Sequence, residues 1–205
     1  MLLSADDQGN VEADAEFFRA RFGGGSLFSL CVESTGHPPR FRAQPKEGCL
    51  DGGRIWLRAR QSRQRARQAL GHELAHVFYR LIGYDGPDIE ERCDHFSACL
   101  CCERQAFRLA IKELGHSYKA LAKRFDVTWS VAFLRLGEVT GRPVCLLCPS
   151  GPIFRGADFS WPSSISALVR AIHERRSEIH PATISDEPNR IGLMATHFAW
   201  SEMVA

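Results

Sequence analysis

Across residues 63–81 the chain carries no proline and no cluster of turn residues, and Leu70, Leu74, Val77, Phe78 and Leu81 recur at steps of three and four. That is the spacing of one helical face, and it predicts a buried helix. Upstream, residues 6–22 are acidic and then amphipathic. Phe17, Phe18 and Phe22 fall at helical spacing, and Gly23-Gly24-Gly25 stops the pattern. Two short β-like runs lie between these helices, residues 27–32 and 54–58. In the second, Ile55 and Leu57 alternate with Arg54, Trp56 and Arg58, and the pair predicts a small antiparallel sheet. Residues 83–88, GYDGPD, break the buried helix. A longer helical pattern then runs over residues 89–114 to a stop at Gly115. Ser117 can cap a short helix over residues 118–125, and a further helix runs from about Trp129 towards Glu138, which gives a helix-turn-helix-like pair. After Gly141-Arg142-Pro143 the chain turns to Pro, Gly and Ser with scattered aromatics, apart from an amphipathic helix over residues 164–178. No internal repeat is visible.

This order of elements predicts an α+β fold. A length of 205 residues at 44% hydrophobic and 24% charged suits a soluble globular protein of about one domain. The division expected is residues 1–142 as the main domain, with its core at 54–138, and residues 143–205 as an appendage packed on it. A net charge of +2, from 26 Lys+Arg against 24 Asp+Glu, is too balanced for a chain whose main work is wrapping nucleic-acid backbone. The start, MLLSADDQGN, never builds the apolar run of a signal peptide, and no stretch approaches a membrane span, so a cytoplasmic protein is expected. Eight cysteines would suit a disulfide framework in a short secreted chain. Here reduced thiols are the expectation, and Cys93, Cys99, Cys101 and Cys102 read as core filling on an apolar helix.

Candidate chemistry sits in the buried helix, as His72-Glu73-Leu74-Ala75-His76. Residues four apart share a helix face, so the two imidazoles can reach one tetrahedral zinc ion while Glu73 holds a water at the open position. Leu70, Leu74 and Val77 make the surroundings apolar, as a water-excluding site needs. A third ligand has to come from elsewhere, and thirteen residues after His76 the next helix opens with Ile89-Glu90-Glu91-Arg92-Cys93-Asp94. That interval is enough to turn and return antiparallel. Glu90 and Asp94 lie one turn apart, so Glu90 can bind the metal while Asp94 accepts the far N–H of a ligand histidine. Glu91 is the rival ligand, pointing about 100° away round the helix.

The stretches RARQALGHELAHVF, EERCDHFSACL and LAKRFDVTWSVAFLRL resemble the ImmA/IrrE family of zinc metallopeptidases, which pair H-E-x-x-H with a downstream E-x-x-[AC]-[ND]-x-F-[AS]. His72, Glu73 and His76 match the first motif, and Glu90, Cys93, Asp94, Phe96 and Ser97 match the second. The chain departs from the family where it reads Leu100-Cys101-Cys102-Glu103-Arg104 in place of a stretch ending in Leu-Met-Pro. The resemblance implies a zincin-type active-site helix facing an antiparallel Glu-bearing helix, beside a strand at residues 55–57. It also implies a gluzincin-like endopeptidase of narrow specificity. Such enzymes often cut a helix-turn-helix repressor and so serve stress response or transcription regulation.

Other features keep alternatives open. Six arginines and no acid lie between Arg54 and Arg67, a run that can steer an acidic substrate or form a solvated rim. Together with the helix-turn-helix-like segment it gives the main rival reading, a DNA-binding regulator. A second rival is a family member that binds zinc without catalysis. Nucleic acid is not the expected main partner, since the second helix of the pair is too apolar for a major groove. Cys145 and Cys148 form half of a zinc knuckle, read first as two small buried thiols. Donors for a tetrahedral oxyanion could come from His95, His116, Tyr118, Arg135 or His173.

Overall fold

The architecture is taken from a computed structural model, which describes residues 5–148, 151–155, 179–183 and 191–195. The chain divides into two compact units, Met1–Glu103 with Phe125–Val127, and Arg104–Arg124 with Thr128–Ala205.

In the first unit, α1 (Ala5–Arg21), α3 (Arg63–Leu81) and α4 (Ile89–Cys101) form the helical layer. α3 begins at Ser62, whose hydroxyl accepts from the Arg65 amide at 3.2 Å, satisfying one of the amides left free at a helix start. It then returns through Gly83, in the left-handed region at φ 73°, into α4. Gln68 meets Ser97, His72 meets Asp94 and His76 meets Cys93, so one helix is read upward as the other is read downward, and the pair is antiparallel. Gly71 makes their close approach possible, because a Cβ there would lie 3.2 Å from the Ser97 Cα. Phe18, Phe78, Tyr79 and Phe96 join the three helices, with ring centroids 5.4–6.0 Å apart. Edge-to-face and stacked pairs at such spacings add stability beyond the apolar area they bury.

A three-stranded sheet of β1 (Arg40–Arg42), β2 (Gly48–Asp51) and β3 (Arg54–Arg58), in the order β1-β3-β2, meets α3 through β2 and β3. Ile55 and Leu57 are buried and Arg54, Trp56 and Arg58 lie on the other face, as the alternation predicts. The α+β class therefore stands. The sheet itself is mixed, since β2 pairs β3 antiparallel but β1 pairs it in parallel. Residues 27–32 also differ from expectation, forming part of α2 (Leu27–Thr35) instead of a strand. Ser26 caps the start and Gly36, at φ 73°, closes the end. These caps decide a short apolar run that periodicity leaves ambiguous.

The helix expected over residues 89–114 is two helices. α4 ends at Cys101, and α5 (Arg104–Leu114) begins after a break at Cys102, whose extended backbone (φ −130°, ψ 71°) leaves the helix. No glycine or proline marks that break. The second unit also holds α7 (Trp129–Thr140) and all of α6 (Tyr118–Phe125) but its last residue, the pair expected from the sequence. Phe107, Leu121, Phe133 and Leu136 are buried. Four strands follow: β4 (Val144–Cys148), β5 (Gly151–Arg155), β6 (Ile179–Thr183) and β7 (Ile191–Ala195). They form an all-antiparallel sheet in the order β5-β4-β7-β6. The Pro- and Gly-rich composition of this region had hidden it. The helix expected over residues 164–178 lies outside the described residues.

Candidate metal centre

The two imidazoles of α3 converge. His72 Nε2 lies 3.2 Å from His76 Nε2, and Glu90 of α4 sets one carboxylate oxygen 3.2 Å from His72 Nε2 and the other 3.6 Å from His76 Nε2. Of the two neighbouring glutamates, it is Glu90 whose carboxylate meets both rings. Ligands held about 2.0–2.1 Å from a tetrahedral zinc ion sit about 3.3 Å from one another. The three separations match that edge, so this donor set fits zinc.

Each ring is also held on its far side. Asp94 brings a carboxylate oxygen 2.8 Å from His72 Nδ1, and the Cys93 thiol sulfur lies 3.5 Å from His76 Nδ1. Cys93 is fully buried, whereas the Glu90 and Asp94 side chains are largely exposed. His72, His76 and Cys93 also form a second group of donors able to approach one ion. From the sequence alone Cys93 reads as core filling. Its position, one turn after Glu90 and next to Asp94, was the signal that it shares their face.

Glu73 is buried. Burial raises its proton affinity, Glu90 adds to the shift, and His72, Lys46 and Arg80 oppose it. His72 is drawn in two directions. Burial disfavours its cation, but the Asp94 hydrogen bond and the Asp94, Glu73 and Glu90 charges prevail, leaving its pKa raised. His76 moves the other way, lowered first by burial and then by His72. Burial, reinforced by the Glu90, Asp94 and Glu73 carboxylates, also pushes the Cys93 thiol up, so it stays protonated.

Beside the imidazoles opens a cleft of about 220 Å³ lined by Glu47, Gly48, Gln68, Ala69, His72, Glu73 and Asp94. Its β side is β2, an edge strand of its sheet. Gly48 is the point of closest approach, since a Cβ there would lie 2.8 Å from Glu73 Oε1 and 2.9 Å from its Cγ. Neither β2 nor Gly48 was foreseen. A glycine inside a short β run is the available cue, because it often marks close approach of another group.

The arginine run looks different once folded. Glu47 pairs with Arg58 at 3.3 Å and with Arg65 at 2.5 Å, and Asp126 pairs with Arg63 at 2.7 Å. Acids distant in sequence thus neutralise part of the patch. Of the possible oxyanion donors, His95 is buried on α4, and His116, Tyr118 and Arg135 belong to the second unit. Arg135 is fully buried and pairs with Glu138 at 3.0 Å, while His173 lies outside the described residues. Cys145 is buried, and the Cys148 side chain lies outside the described residues.

The IrrE N-terminal-like domain of the M78 peptidases matches residues 32–136, about half of the chain and all of the centre just described. The protein belongs to this family. Membership supports a metallopeptidase-type function, and the clustered histidines are compatible with a bound metal ion. The fold is also similar to that of a Mycobacterium tuberculosis transcriptional regulator, at 12% identity and a TM-score of 0.61, over 91% of this chain and 76% of that one. No curated protein matches the chain. Among the described residues, no helix is long and apolar enough to cross a membrane.

Proposed function

We propose that this M78 family member is a zinc-dependent endopeptidase that cuts a specific protein, such as a helix-turn-helix transcriptional repressor. The observation that carries the reading is the convergence of His72 Nε2, His76 Nε2 and the Glu90 carboxylate at 3.2–3.6 Å beside a buried Glu73. His72, His76 and Glu90 are the residues that would hold zinc, with Asp94 orienting His72. Zinc bound there supplies Lewis acidity to a water molecule and to the scissile carbonyl. Glu73, with its raised proton affinity, accepts the proton of the attacking water and delivers it to the leaving amine. The outer edge of β2, which pairs with no further strand among the described residues, can hydrogen-bond an extended peptide as an added strand, laying a main chain along the cleft past Glu73.

The DNA-binding alternative finds less support. The helix that would read a groove is α7, and Val131, Ala132, Phe133, Arg135 and Leu136 along it are buried. Part of the arginine run is already paired with Glu47 and Asp126.

The test is incubation with any helix-turn-helix repressor encoded beside this gene, with the products read by mass spectrometry. Glu73→Gln is expected to keep zinc and to lose about 10²–10⁴-fold in turnover, and His72→Ala to lose both metal and turnover. Equal turnover in wild type and Glu73→Gln sinks the peptidase reading. Metal uptake without cleavage of any co-encoded repressor leaves a zinc-binding member that does not cut it.

A further inference from the structure

His72 and His76 play equivalent parts in the motif, yet the groups behind them are different. His72 Nδ1 faces a carboxylate, Asp94, at 2.8 Å, and His76 Nδ1 faces the Cys93 thiol at 3.5 Å. An imidazole that gives one nitrogen to a metal keeps its proton on the other, and a group accepting that proton fixes the tautomer and the ring direction.

Cys93 could act in either of two ways, and geometry separates them. As a direct ligand it would share an ion with the nearest nitrogen of His76, which is Nδ1. The two nitrogens of an imidazole point away from each other, so that ion would be out of reach of Nε2. Yet it is Nε2 that stands 3.2 Å from His72 Nε2 and 3.6 Å from Glu90. The sulfur is therefore behind the ring and the other donors are in front of it. Cys93 is fully buried one turn from Glu90 on α4, so the helix that delivers the acidic ligand also delivers the brace.

We infer that Cys93 is a positioning residue: its sulfur accepts the His76 Nδ1–H bond, which holds the Nε2 lone pair toward the metal. The inference rests on the metal centre proposed above. It divides the work unequally between the two histidines, because a thiol accepts hydrogen bonds weakly and a carboxylate strongly. His72 is then the firmly anchored ligand, and His76 is the one whose hold depends on an uncharged neighbour.

The experiment uses the full chain, loaded with cobalt for spectroscopy and titrated with zinc against a chelator of known affinity. Wild type is expected to show the visible bands of tetrahedral cobalt without a thiolate-to-cobalt charge-transfer band. Cys93→Ala and Cys93→Val should each weaken zinc binding about 10-fold, and Cys93→Ser, which restores an acceptor, should recover most of it. Melting of the metal-free proteins checks that the variants fold. If Cys93→Ala does not fold, the wild-type spectrum and the Ser and Val variants decide. A charge-transfer band in wild type makes Cys93 a ligand and overturns the inference. Unchanged zinc affinity in Cys93→Ala, or full recovery in Cys93→Val, overturns it as well. A wild-type chain that takes up neither metal overturns the metal centre itself, and the inference with it. Cobalt uptake lost in His72→Ala but untouched in Cys93→Ala removes the inference alone.

Discussion

Glu73 depends on a missing side chain. It is a carboxylate enclosed by burial, which raises its proton affinity, and it fits under β2 because Gly48 has no Cβ. Gly48→Ala would force Glu73 out of line. The expected result is a fall in kcat/KM on the order of 10- to 100-fold, with metal stoichiometry unchanged, and wild-type kinetics in that variant would show that the approach of β2 does not matter. His72, Glu73, His76, Glu90 and Asp94 could all be picked out from spacing, because helical periodicity fixes which residues share a face. For Gly48 spacing gives no partner, since its importance comes from a neighbour twenty-five positions away in the chain.

Between elements, the centre depends on two contacts that hold α4 in register with α3. One is the pairing of Gly71 with Ser97, where the Ser97 hydroxyl donates to the Gln68 carbonyl at 2.8 Å. Gly71→Ala should push the helices apart, costing about 1–3 kcal/mol of stability and weakening zinc binding, as measured by denaturant unfolding and chelator competition. The other is a clamp at the start of α4. Arg92 donates to Asp88 at 2.7 Å and to Asp7 of α1 at 2.8 Å, its guanidinium lies 4.9 Å from the Tyr84 ring centroid, and the Tyr84 hydroxyl donates to Asp88.

The Tyr84 hydrogen bond, aided by Arg92 and opposed by burial, holds the Asp88 carboxyl below its ordinary value of 3.8. A carboxylate lowered in this way stabilises the fold above its unfolded pKa, and that contribution is lost as pH falls through the folded value. Asp88→Asn should therefore lower stability by about 1–2 kcal/mol at neutral pH. The gap in melting temperature from wild type should close once pH drops well below 3.8. A gap that does not depend on pH counts against the clamp. At this scale the sequence was least informative about elements that end without a breaker or are settled by their caps, as α4 and α2 are.

For the whole molecule, a metal bound only by the folded chain raises stability by mass action. At a free zinc concentration about 100 times its Kd the gain is about 2.7 kcal/mol, which corresponds to a rise of roughly 5–10 °C in melting temperature for a chain of this size. Dialysis against chelator should remove that gain together with turnover, and added zinc should restore both. An unchanged melting curve after chelation would argue against a metal held by folded residues.

The sequence by itself determined the helices that carry the candidate centre, the face on which His72, His76, Glu90 and Asp94 appear, and the α+β class, because all of these follow from local periodicity and caps. Tertiary structure decided the rest. It brought Glu47 and Asp126 to the arginines, set the Gly48 strand over Glu73, added β1 in parallel, and turned Cys93 towards His76. Each of these is a contact between segments, and its strength depends on distances that no local pattern encodes.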